Sequence, residues 1–162
     1  MAEKAALYLS QALLEEEHNI HQGVHFDRVY WQPAIQMGPD ELIYDRGVGM
    51  HAPVAGVGYA IFAIPEKTNQ FAAIFGHAAQ GSNFSFGNGV GRIFIDGVKV
   101  WEGDVSHSKR VFQIRIWIPH GARKLRLEVD AKGSHYSSHT TWADAHFNQL
   151  CSLKSCDPMS IQ

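Results

Sequence analysis

Arg92-Ile93-Phe94-Ile95-Asp96-Gly97-Val98-Lys99-Val100-Trp101 is the stretch that decides the fold. Asp-Gly sits between two runs rich in β-branched and aromatic residues. Both central residues of a two-residue hairpin turn need positive φ, which Asp tolerates and Gly takes freely. The spacing predicts antiparallel strands over Ile93–Ile95 and Val98–Trp101. Downstream, Val111 to Ile118 is a further strand, with Phe112, Ile114, Ile116 and Ile118 on one face and Gln113, Arg115 and Trp117 on the other. After the turn at His120-Gly121-Ala122, Leu125, Leu127 and Val129 alternate with Lys124, Arg126, Glu128 and Asp130. That is a half-buried antiparallel strand over Leu125–Val129.

Upstream, Phe71 to Phe75 is a strand that stops at Gly76, and Val57 to Ile64 is so apolar that burial on both faces is expected. Gly47 and Gly49 flank Val48, a pattern that suggests strained or closely approached backbone. Leu42-Ile43-Tyr44 reads as a short buried strand after the turn Met37-Gly38-Pro39-Asp40. Val29-Tyr30-Trp31 is an aromatic run ended by Pro33. Helix is plausible only near the start, where Ala5 to Glu17 has helical composition. Tyr8-Leu9-Ser10 opens equally well as strand, because so short a run does not fix a period. About eight short strands between turn signals define an all-β, single-domain antiparallel β-sandwich of jelly-roll type. No repeat of fixed period points to a propeller or trefoil.

A chain of 162 residues with 45% apolar and 19% charged residues suits one domain with a full core, here 1–150, followed by a polar tail at 151–162. The net charge of -2 offers no general basic field for nucleic acid. No apolar run is long enough to span a bilayer, and Met1 to Tyr8 holds no signal-peptide apolar segment. The location is therefore intracellular, or extracellular if a leader has been removed. Cys151 and Cys156 are either a local disulfide loop or two thiols in the tail, and not a disulfide framework. His18, His21 and His25 would share one face of a helix and could ligate a metal there; the alternative is solvated histidines in a connecting segment. Asn83-Phe84-Ser85 is a glycosylation sequon, meaningful only in a secreted chain. It lies in the loop His77–Gly89, where Phe84 and Phe86 either are exposed for binding or staple the loop to the core.

The chemistry concentrates in His139-Thr-Thr-Trp142-Ala-Asp144-Ala-His146. A flat apolar ring beside a carboxylate suits a sugar, which has an apolar C–H face and a hydroxyl edge. The same residues could close a sandwich, with the indole in the core and its N–H on a polar partner. Five elements then fall in one order: Tyr8-Leu9-Ser10, Gly47-Val48-Gly49-Met50-His51-Ala52, Gly91 to Gly97, Ala122 to Leu127, and Trp142-Ala143-Asp144-Ala145. Together they resemble the NPCBM family, jelly-roll carbohydrate-binding modules attached to glycoside hydrolases. The resemblance runs from about Tyr8 to Phe147. It implies glycan binding without catalysis, with galactose-containing glycans among the ligands. Family members also hold a structural calcium, with acidic residues just before Trp-Ala-Asp. Here those positions are Ser138, His139, Thr140 and Thr141, so the expectation is no cofactor, with structural calcium as the one candidate.

The expected function is a free-standing lectin for galactose-type or N-acetylhexosamine glycans, and a homo-oligomer, because single sugar sites bind weakly. Trp142 is the expected stacking platform, with Asp144 and His51 as hydroxyl partners and Arg46 and His139 as second choices. The opposing reading of His51 and Asp144 is a buried pair locking two loops. Alternatives to a lectin are a structural or assembly sandwich, or a histidine-rich metal-dependent enzyme. The last lacks a His-x-His pair, a serine elbow and a facing pair of carboxylates.

Overall fold

The computed structural model describes residues 3–29, 34–78, 86–133 and 138–151. Within them the chain is a two-sheet antiparallel sandwich. One sheet has six strands, five of them in the order β11 (Phe112–Trp117), β8 (Thr68–His77), β13 (Thr140–Cys151), β6 (Gly47–His51) and β3 (His21–Phe26). β1 (Glu3–Tyr8) pairs with the second half of β13, from Tyr8 against His146 to Glu3 against Cys151. The other sheet has five strands, in the order β10 (Val98–Asp104), β9 (Val90–Ile95), β12 (Lys124–Asp130), β7 (Val57–Ala63) and β2 (Leu14–His18). A small ribbon of β4 (Ile35–Met37) and β5 (Leu42–Tyr44) completes the set.

The Asp96-Gly97 turn forms as the sequence requires, with φ of 47° and 82°. It joins β9 to β10, and β9 also pairs with β12. Leu125, Leu127 and Val129 point into the core together with Phe62, Phe71, Phe75, Trp142 and Phe147. Gly91 is glycine for a packing reason: a Cβ there would lie 2.6 Å from the Phe75 ring. On the outer face of β12, Glu128 is only 5% exposed. Arg92 closes over it at 3.0 Å, and Arg126 pairs with its other oxygen. A carboxylate can be covered this way only because two guanidiniums replace its water.

Three expectations are corrected. The Ala5–Glu17 segment is β1, a single 3₁₀ turn at Leu9–Gln11, and β2. Its glutamates stand exposed on an edge strand paired with β7, where charge discourages further strand pairing and sheet formation overrides helix propensity. β7 is not buried on both faces: its residues alternate between buried and half-buried. Leu42 and Ile43 are 55% and 67% exposed, because the β4–β5 ribbon lays only one side, through Ile35, Met37 and Tyr44, onto the larger sheet. Tyr30, Trp31, Phe84, Cys156 and the tail from 152 onward lie outside the described residues, and so does the side chain of Cys151.

Candidate functional site

The site is organised by an irregularity in β13. Ala143 stands opposite Ile74, and the next partners are His146 and Ala72. β13 therefore advances three residues (143 to 146) while β8 advances two (74 to 72), which is a β-bulge. The extra residue shifts the alternation. Trp142, Ala145 and Phe147 all enter the core, while Asp144, with φ 52°, and His146 turn outward and stay half-buried.

Trp142 is therefore not a stacking platform. It is 0% exposed, with its ring 4.4 Å from that of Phe75 and 5.9 Å from that of Trp101, and it has no free face for a sugar. The core alternative holds, although the indole Nε1 has no hydrogen-bond partner among the described residues.

The remaining expected site residues divide into two places. Asp144 and Arg46 come together: the Asp144 N–H donates to the Arg46 carbonyl at 2.8 Å. The Arg46 guanidinium lies 5.2 Å above the Tyr8 ring and 3.6 Å from the Asp27 carboxylate. Tyr8 in turn sits 5.3 Å from the His146 ring. His51 and His139 come together at the opposite end of β6, with ring centroids 4.8 Å apart. The buried His51–Asp144 pair does not form, because the register places Gly47, not His51, beside Ala143. Strand geometry puts His51 about 13 Å further along.

Around His51 the histidines gather. His21 lies 4.8 Å from it, and His77 is 2% exposed. Burial pushes the His77 imidazole down to about 4, opposed by the nearby Gly87 and Val105 backbone and helped by charge from His51 and His107, and neither ring nitrogen has a hydrogen-bond partner among the described residues. Burial likewise lowers His139 to about 4, with His51, His77 and His21 adding to the effect. His25 is lowered by burial and by Arg28. His18, His21 and His25 share no helix face, since they lie on β2 and β3. Among the described residues no group of three or more His, Cys, Asp or Glu is placed to hold a metal ion.

The outer face of the larger sheet is where the chain is open. The β4–β5 ribbon covers one half of it over Ala143. Beyond the ribbon, one row across the strands reads Arg115, Ala72, His146, Tyr8, and the next reads Trp117, Gln70, Asn148, Ala6. A depression of about 210 Å³ lies over Ala72, walled by Gln113 and Arg115 on one side and Asp144 and His146 on the other. Among the described residues, the side chains of Gln113, Arg115 and Asp144 have no hydrogen-bond or ion-pair partner. Acceptor and donors thus face one hollow, with an alanine floor. Sequence reading missed Arg115 and Gln113. The signal was their place on the polar face of β11.

This sandwich has the fold of carbohydrate-binding modules. It is similar to a CBM51 module of Clostridium perfringens GH95 solved in complex with methyl-galactose, with TM-score 0.76 and 19% identity over 88% of this chain and 99% of that one. It is also similar to the CBM51-2 and INT domains of Clostridium perfringens ZmpB in complex with GlcNAc, with TM-score 0.77 and 17% identity over 90% of this chain and 32% of that one. The tandem CBM51 modules of Sp3GH98 from Streptococcus pneumoniae give TM-score 0.78 and 19% identity over 97% of this chain and 51% of theirs. The chain thus spans about a third of the ZmpB structure and about half of the tandem modules. No curated protein matches it in sequence. The family model described as NPCBM/NEW2 domain matches residues 5–148, and the chain belongs to that family.

The residues at 138–141 do not fit a calcium ion. Thr140 Oγ1 donates to the Met50 carbonyl and Thr141 Oγ1 to the His139 carbonyl. Ser138, Thr140 and Thr141 are buried, and the segment contributes no carboxylate, the ligand a hard cation needs most.

Proposed function

We propose that this chain binds galactose-type or N-acetylhexosamine glycans without cleaving them, on the open outer face of its larger sheet. The observation that carries the reading is the unengaged trio of Asp144, Arg115 and Gln113 around one alanine-floored hollow. A sugar hydroxyl both donates and accepts. A carboxylate opposite a guanidinium and an amide therefore satisfies adjacent hydroxyls in both senses, and charge-assisted bonds are the stronger kind. Arg46 serves the site indirectly, since its carbonyl holds the bulge that presents Asp144. The methyl-galactose and GlcNAc complexes of the CBM51 neighbours support the ligand class. Hydrolysis of a glycosidic bond generally needs two carboxylates across the sugar, and Asp144 is the one carboxylate among the described residues lining this hollow. A single shallow hollow binds weakly, so the chain works as a homo-oligomer, where linked sites raise avidity by ~10²–10⁴.

Calorimetric titration with galactose, N-acetylglucosamine and N-acetylgalactosamine tests the proposal against Asp144→Asn. Asparagine tolerates the positive φ of this position, so the fold is kept while the charge is lost. The expected result is binding by the natural protein and about tenfold weaker binding by the variant, the difference between a charged and a neutral acceptor at about 1.4 kcal/mol. Equal affinity in both would place the sugar elsewhere.

A further inference from the structure

We propose that Trp117 forms a second sugar subsite beside the Asp144 hollow, so that the preferred ligand is an oligosaccharide of two or more rings. This rests on the glycan-binding reading above.

Trp117 is 72% exposed, whereas Trp142 is wholly buried and Trp101 packs against the core. Its outward direction is fixed by β11. Ile114 is buried and Phe112 and Ile116 pack on the core, so Gln113, Arg115 and Trp117 must point to the outer face. Trp117 thus shares that face with Arg115, two positions along the strand and about 7 Å away. That step is of the order of the distance from one pyranose ring to the next in a chain. A ring seated over Ala72 would place its linked neighbour beside the indole.

The surroundings suit a sugar. Trp117 is in register with Gln70, and Gln70 with Asn148. The Asn148 amide donates to the Gln70 side-chain oxygen at 2.8 Å, which ties the two amides together. An apolar ring face beside ordered amide groups matches the C–H face and hydroxyl edge of one pyranose. A protein-docking surface would instead present a contiguous apolar patch, and the neighbours of this indole on the outer face are Arg115 along its strand and Gln70 across from it.

The test titrates natural protein, Trp117→Ala, Trp117→Phe and Asp144→Asn with galactose, lactose and N-acetyllactosamine, checking melting temperature in each. Trp117 is exposed, so its variants are expected to melt with the natural protein. The disaccharides should bind more tightly than galactose to the natural protein. Trp117→Ala should remove that advantage, about tenfold or 1.4 kcal/mol, and leave galactose affinity nearly unchanged. Trp117→Phe should restore part of it. Disaccharide addition should shift indole emission in the natural protein and not in Trp117→Phe. If Asp144→Asn weakens every ligand while Trp117→Ala binds disaccharides normally, the hollow stands and the second subsite is wrong. If the natural protein binds none of the three sugars, both fall.

Discussion

Acid should loosen this protein through His77. In the folded chain its imidazole is held at about 4 by burial, against an ordinary value of 6.5. Above pH 6.5 it is neutral in both states and contributes no pH dependence. As pH falls below 6.5 the unfolded chain takes up a proton that the folded chain refuses, and stability declines until about pH 4, where both states are charged. At pH 5 the imbalance amounts to about 2 kcal/mol, and it saturates at about 3 kcal/mol, using 1.36 kcal/mol per unit. That is a sizeable share of the 5–15 kcal/mol typical of a domain. His139, lowered in the same direction but only half-buried, adds a smaller increment in the same window. Urea unfolding at pH 7 and pH 5 reads the effect directly. In His77→Gln the pH 7 value drops, but the fall from pH 7 to pH 5 should shrink by about 2 kcal/mol, because glutamine does not titrate. An unchanged fall in the variant would show that the proton is taken up elsewhere and would refute the reasoning.

Trp142→Ala should cost roughly 3–5 kcal/mol in denaturant unfolding, as for other large-to-small core changes, and whatever remains folded should still bind sugar. Selective loss of binding at unchanged stability would return Trp142 to the site. Gly91→Ala should destabilise by about 1–3 kcal/mol through overpacking against Phe75; a melting temperature equal to the natural protein's would mean that the ring swings aside at no cost. Light scattering should give a mass above that of one chain, and a strict monomer that still agglutinates cells would contradict the valency argument.

The fold was legible where side chains alternate against a single buried face. Asp96-Gly97, the run Val111–Ile118 and Leu125–Val129 could be read directly, because the turn and the period are local. Leu42-Ile43-Tyr44 misled, because an apolar triplet looks the same in a core strand and in a ribbon packed by one side. The three glutamates of β2 misled because helix propensity is local and edge pairing is not. At the site, Asp144 and Arg46 were named from the sequence and do come together, but the indole given to them was wrong. Trp142 and Asp144 are two apart, so strict alternation puts them on one face, and only the bulge separates them. Trp117, alone among polar residues on its face of β11, was visible in the same alternation and carried no motif to draw attention.

That bulge also sets a rule of length. The segment from Trp142 to Phe147 serves two neighbours, β8 on one side and β6 or β1 on the other. Its parity decides which side chains are wet. Removing Asp144 would make the count on β13 match that on β8 again, so Trp142, Ala145 and Phe147 would alternate regularly and stay in the core, and the outward carboxylate would be lost with the bulge. Substitution at Asp144 thus changes the chemistry of the outer face, whereas deletion there removes the irregularity that turns this position outward.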